Sequence, residues 1–228
     1  LILAPGLMCD AALFSHQVGY FSDGYVVSVA DFSRQNTVQA MARGLLANAP
    51  EQFVLAGLSM GGIVAFEVYR QAPERVAALI LMNTTAEADT AEKQKNRTRQ
   101  IDLAMSGQLN EVVLQELKPN YLADTPNRTA VLDLCMEMAL DLGPEIFIQQ
   151  SIALRDRPDQ CATLRSFAGP ALILCGAQDR LCPVARHELM QDLMPDSRLD
   201  VLPDCGHLPT LEAPEQTTAA LARWLEAS

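Results

Sequence analysis

Residues 52–82 constrain the fold of this chain more tightly than any other stretch. Gln52-Phe53-Val54-Leu55-Ala56 is an apolar run of strand length. Gly57-Leu58-Ser59-Met60-Gly61 follows at once, and Met60 to Gln71 has the length and composition of a helix. Pro73 lies just past its end, where helices stop. Val76 to Met82 is a second apolar run. Strand, tight turn, helix and strand in this order predict parallel strands joined by a crossover helix. Ala78-Leu79-Ile80-Leu81 shows no polar alternation, so this strand is expected to be covered on both faces.

The same alternation runs through both ends of the chain. Leu1-Ile2-Leu3-Ala4 and Tyr25 to Ala30 read as strands, and Thr37 to Ala49 as a helix with apolar positions at Val38, Met41, Leu45 and Leu46. Ala171 to Cys175 and Leu199 to Leu202 read as later strands, Val184 to Met194 and Pro214 to Glu226 as helices. Between Thr84 and Cys161 no strand-like run occurs. Lys93 to Met105, Leu109 to Leu117, Asn127 to Leu140 and Pro144 to Leu154 all look helical, and such a segment is too long to be a plain loop. The expected fold is α/β, a mostly parallel sheet flanked by helices. Residues 1–83 and 162–228 form the core, and 84–161 a helical insertion.

Composition narrows the partners. The 228 residues are 49% hydrophobic and 20% charged, which suits a globular protein and not a disordered one. The formal net charge of −11 repels nucleic-acid backbones and anionic lipid. No apolar run reaches 18 residues, so no membrane span is expected. Leu1 to Gly6 lacks the basic segment and length of a signal peptide. The chain does not begin with Met, so residues upstream of Leu1 stay open. Its six cysteines form no C-x-x-C pair and read as thiols of a reducing compartment, with the cytoplasm expected. No Cys/His cluster offers a zinc site.

Ser59 is the candidate nucleophile. A serine at the tip of a sharp strand-to-helix turn has its Oγ pushed out above the sheet edge, and the flanking positions must be small, as Gly57 and Gly61 are. The next amide, that of Met60, then lies at a helix N-terminus, where it can stabilise a developing oxyanion. Taken alone, Ser59 could equally be a helix cap beside turn glycines.

The run Gly57 to Ala65, GLSMGGIVA, resembles the nucleophile elbow of the α/β-hydrolase superfamily. Pro73-Glu74-Arg75-Val76 resembles the segment that trails this helix in the esterase and lactonase branches. The resemblance covers nearly the whole chain, although N-terminal strands of the family pattern could be absent. It implies an order of nucleophile, acid, histidine. Of His16, His187 and His207, only His207 lies near the end, in Asp204-Cys205-Gly206-His207-Leu208-Pro209, which resembles the family's histidine loop. His16 could line a pocket mouth, and His187 lies on a helix the family uses structurally. Asp179, in Cys175-Gly176-Ala177-Gln178-Asp179, looks like the family's acid turn after a buried strand. Asp204 is the competing carboxylate and is expected to shape its loop instead.

The resemblance also implies that the Leu7 amide, in Pro5-Gly6-Leu7-Met8-Cys9-Asp10, is the second oxyanion donor beside Met60. Here Pro5 replaces the usual histidine. A second departure follows Asp31, where the family often carries glycines and this chain has Phe32-Ser33-Arg34-Gln35. Residues 84–161 would form a lid, whose Met105, Met136 and Met138 either line an apolar pocket or pack the lid onto the sheet. Cys9 and Cys205 flank the site as lining or packing residues.

The expected function is a serine hydrolase that cleaves a carboxylic ester, thioester or lactone of a small, partly apolar molecule through an acyl-enzyme. No metal or organic cofactor is called for. Acyl transfer, carbon–carbon bond hydrolysis and perhydrolysis fit the same residues, and a catalytically silent ligand-binding protein is the alternative from another class. Substrate identity and oligomeric state are not legible.

Overall fold

In the computed structural model, residues 1–117 and 120–227 are described. Six strands form one sheet: β1 (Ile2–Ala4), β2 (Ser28–Val29), β3 (Phe53–Leu58), β4 (Val76–Met82), β5 (Ala171–Gly176) and β6 (Arg198–Leu202). Their order is β2-β1-β3-β4-β5-β6, and every neighbouring pair is parallel. The expected fold class is the one observed.

Strand alternation divides the core between the two faces of the sheet. Leu55, Leu79, Leu81 and Ile173 face α2 (Val38–Asn48), α3 (Met60–Gln71) and α8 (Val184–Leu193), meeting Met41, Phe66 and Met190. Ala56, Ile80, Met82, Leu172 and Leu174 face the other way, towards Phe14, Phe21, Leu221 and Trp224. The last four belong to the segment through α1 (Ser15–Phe21) and to α10 (Pro214–Ala227). Every residue of β5 is buried, and every residue of β4 except Ala77. Each fully buried large aliphatic or aromatic side chain contributes about 1.5–3 kcal/mol. The central strands therefore anchor the loops at their C-terminal ends.

Between β4 and β5 the chain is helical: α4 (Ala91–Met105), α5 (Leu109–Glu111) continuing into wider turns over Val112–Leu117, α6 (Arg128–Arg155) and α7 (Cys161–Arg165). The two helices expected at 127–140 and 144–154 run end to end as α6, interrupted at Gly143, where φ is 79° ahead of Pro144. Met138 is buried among sheet-facing residues, Met136 packs beside Phe147, and Met105 is exposed. Packing onto the sheet thus holds for Met138, whereas Met136 packs within the insertion and Met105 does not pack.

The expected strand over Tyr25 to Ala30 shrinks to Ser28–Val29. It is an edge, and Val26 is 92% exposed. Helix α1 was not expected: its sequence, SHQVGYF, carries a central glycine and a weak apolar stripe.

Strand order reverses between β1 and β3. Loops leaving two such strands diverge to opposite sides, and a crevice opens at the C-terminal edge between them. Ser59 follows β3 and residues 5–10 follow β1, so both flank this crevice. The start of α3 lies hard against β1 there. A Cβ on Gly61 would stand 1.9 Å from Ala4 O, and one on Gly57 would stand 2.5 Å from Gly61 backbone atoms. Neither position admits a side chain without moving backbone. Gly61→Ala is expected to cost at least about 2 kcal/mol, read as a lowered midpoint in urea unfolding with unchanged slope. A midpoint equal to wild type would contradict this packing.

Candidate active site

Ser59 has φ 53° and ψ −112°, in a region that side chains rarely adopt. Hydrogen bonds on both sides hold it there. Its N–H donates to Met82 O at 2.9 Å, and its carbonyl accepts from Thr84 Oγ1 at 2.7 Å and from Gly62 N at 3.0 Å. The Ser59 side chain makes no cap bond to α3, so the helix-cap reading fails.

Its hydroxyl instead meets His207. Ser59 Oγ lies 2.9 Å from His207 Nε2, and His207 Nδ1 lies 2.8 Å from Asp179 Oδ2. The structure therefore brings Ser59, Asp179 and His207 into one hydrogen-bonded chain, although 148 positions separate the first from the last. Burial alone would raise the Asp179 carboxyl. His207, Asn83 and the Cys182 amide outweigh burial and hold it below the usual carboxylate value. With Asp179 ionised, Nδ1 carries the ring proton and donates it, and Nε2 is left to accept from the Ser59 hydroxyl. Asp204, the competitor, has no hydrogen bond to the ring among the described residues.

Three residues support this chain that sequence reasoning did not assign. Asn83, at φ 45° just past β4, donates from Nδ2 to Asp179 Oδ2 at 2.7 Å and to Gly206 O at 2.9 Å. Buried Glu212 accepts from the amides of Gly206 at 2.9 Å and Leu208 at 2.8 Å, on either side of His207, and from Ala123 at 2.8 Å. Burial pushes its carboxyl up against those three bonds. Gln150, on α6, accepts from Met8 N at 2.9 Å and donates to Phe32 O at 3.3 Å. A polar residue ending a buried strand was the only sequence signal for Asn83. Gln150 carried none, because its partners Met8 and Phe32 lie far away along the chain.

Leu7 and Met60 both line the crevice beside Ser59. Met60 is the first residue of α3, so its N–H has no partner within the helix. Among the described residues no protein acceptor takes the Leu7 N–H, whereas the next amide, Met8, is taken by Gln150. Gln150 thus orients the loop in which Pro5 stands for the family's histidine. It also explains the departure after Asp31: Phe32 is buried against α2, its carbonyl is held by Gln150, and Asp31 Oδ1 closes a turn with Ser33 N at 2.8 Å.

The crevice opens into a cavity of about 500 Å³. Cys9 lines it, and Cys205 is fully buried behind it. None of the six cysteines is in a disulfide. Ligand atoms of Asp179, Cys182 and His207 lie within 4.8 Å of one another. The carboxylate and ring there already bond each other, and burial beside Asp179 pushes the Cys182 thiol up to about 12, so the group is poorly suited to a metal.

His16 bonds Thr218 Oγ1 at 2.8 Å and does not line the cavity. His187 is buried on α8 and accepts from Thr84 N at 3.1 Å. Burial lowers its pKa from 6.5 to about 4. Between these values the unfolded chain takes a proton that the folded chain refuses, so His187 makes stability fall as pH falls. His187→Gln is expected to flatten the loss of stability between pH 6.5 and about 4, measured by urea unfolding at stepped pH. An unchanged slope would contradict a neutral buried His187.

A family model described as the alpha/beta hydrolase family matches residues 2–221. A pimeloyl-[acyl-carrier protein] methyl ester esterase of Aromatoleum aromaticum is 29% identical over 202 residues, 80% of this chain and 78% of that protein. The solved structure of a thermophilic esterase from Thermogutta terrifontis, with malate bound, superposes with a TM-score of 0.91 at 30% identity, covering 99% of this chain and 89% of that one. An enol-lactonase from Burkholderia xenovorans shares the fold, at a TM-score of 0.88 and 18% identity over 99% of this chain and 90% of that one.

Proposed function

The chain belongs to the alpha/beta hydrolase family, and within that family we propose that it is a serine hydrolase of carboxylic esters that works through an acyl-enzyme on Ser59. The observation that carries this reading is the in-line contact of Ser59 Oγ with His207 Nε2 at 2.9 Å and of Nδ1 with Asp179 at 2.8 Å. The esterase relatives support the ester as the bond cleaved.

In this mechanism His207 Nε2 takes the hydroxyl proton as Ser59 Oγ attacks the ester carbonyl. The carbonyl oxygen becomes an oxyanion, received by the Leu7 and Met60 amides, which cost no reorganisation because they are already in place. The proton on Nε2 passes to the departing alkoxide. Water, deprotonated by the same nitrogen, then attacks the acyl-enzyme, and Ser59 leaves with its proton restored. Asp179 stabilises the imidazolium and fixes the tautomer throughout. No step requires a metal or organic cofactor. In this reading residues 84–161 serve as the lid over the 1–83 and 162–228 core, supported by Tyr121, Arg97 and Arg157 of that segment lining the cavity with Ser59. The ligand is a small molecule, as the cavity size suits. No helix among the described residues is long and apolar enough to cross a membrane. Cysteines without disulfides suit the cytoplasm.

A panel of short-chain esters, thioesters and lactones tests the reading. Wild type is expected to hydrolyse esters fastest. Ser59→Ala is expected to abolish turnover, and Asp179→Asn to lower kcat by about a thousandfold or more, with KM little changed. Full turnover by Ser59→Ala would refute the assignment.

A further inference from the structure

The cavity that opens on Ser59 has a second wall of a different character. Lys93, Asn96, Arg97 and Gln100 all line it from α4, at the i, i+3, i+4 and i+7 spacing of one helix face. Behind them lies an unequal ion cluster. Asp89 is a single carboxylate, its side chain 1% exposed, held by Arg97 Nε at 2.6 Å on Oδ2 and by Arg157 Nη2 at 2.8 Å on Oδ1. Two guanidiniums thus share one negative charge.

The two arginines differ in how they are used. Arg157 is buried and spends its other donors on backbone, with Nε on Glu87 O at 3.1 Å and Nη1 on Leu154 O at 2.9 Å. Arg97 spends only Nε. Among the described residues neither of its Nη groups has a protein acceptor, and neither has Lys93 Nζ. The remaining carboxylates on the cavity do not balance this charge. Glu116 has both oxygens engaged by Arg99 and Gln100, which leaves only Glu92, on the exposed first turn of α4.

Arg97 and Lys93 line the same cavity as Ser59 and His207. Tyr121, also on that cavity, has its ring 5.8 Å from that of His207. On a chain of net charge −11, bulk electrostatics repels anions. A guanidinium on the cavity lining whose two Nη groups have no protein acceptor among the described residues runs against that field, and those groups are a donor set that suits a carboxylate or phosphate.

We propose that the ester this cavity receives carries a second, anionic oxygen group, a carboxylate or a phosphate, and that the Arg97 Nη groups with Lys93 Nζ form the subsite that binds it. This inference rests on the serine hydrolase reading. The anionic group lies on the acyl side if it is a carboxylate of a half-ester, and on the alcohol side if it is a phosphate.

Two matched pairs of substrates separate these sources. The first is p-nitrophenyl hydrogen adipate against p-nitrophenyl hexanoate. The second is the acetyl ester of glycerol phosphate against the acetyl ester of glycerol. Within at least one pair, kcat/KM of the anionic member is expected to exceed that of the neutral member by about tenfold or more. Arg97→Met is expected to reduce that ratio by about tenfold, and Arg97→Lys to restore part of it. Lys93→Met, at an exposed position with no ion-pair partner, should shift the ratio in the same direction and does not depend on the Asp89 cluster for folding. A purely structural Arg97 would lower both members of a pair alike and leave the ratio fixed, and that result overturns the subsite. So does Ser59-dependent turnover without anionic preference in either pair, which leaves the hydrolase reading intact. If no member of either pair is turned over in a Ser59-dependent way, the hydrolase reading falls and the subsite with it.

Discussion

The contact of Gly61 with the end of β1 is the constraint on which the rest of the site depends. It lets the N-terminus of α3 come down onto Ala4, with no room for a side chain between them. That approach places the Ser59 turn beside the loop that follows β1. Leu7 and Met60 then line one crevice although they follow different strands. The strained backbone at Ser59 is tolerated because its N–H and its carbonyl are both bonded to the segment that ends β4.

The histidine is held by a different principle. His207 sits on a buried loop after the exposed edge strand β6, with Leu208 packed into the core beside it. Buried carboxylates add to that packing. Asp179 holds the ring, and Glu212 holds the amides before and after it while also taking the Ala123 amide from the helical segment. Asn83 then ties the acid to the histidine loop through one side chain. A single network thereby links the acid turn, the histidine loop and the segment between β4 and β5.

What could be read from the sequence follows from how local each signal is. The bounds of β4 and α3, and the place of β5, were legible because an apolar run covered on both faces, or a serine between glycines, is a signal carried by neighbours. The break in α6 was legible from Gly143-Pro144, although the two halves proved collinear in sequence with no intervening loop. Tyr25 and Val26 misled because apolar letters on a sheet edge look like those of a core strand; both are exposed. Asn83 and Gln150 were hard to place because their meaning lies in partners 96 and 142 positions away. Arg97 was silent for a further reason. A cation on an amphipathic helix reads as solvated surface until the fold turns that face towards a cavity.

The central claim is that Ser59 is an activated nucleophile rather than a buried hydroxyl in a turn. The most direct measurement is reaction of the folded chain with a fluorophosphonate, followed by mass mapping of the modified peptide. The account predicts stoichiometric modification at Ser59, and loss of that modification in His207→Ala. A folded chain left unmodified at Ser59, or modified equally well without His207, would contradict it.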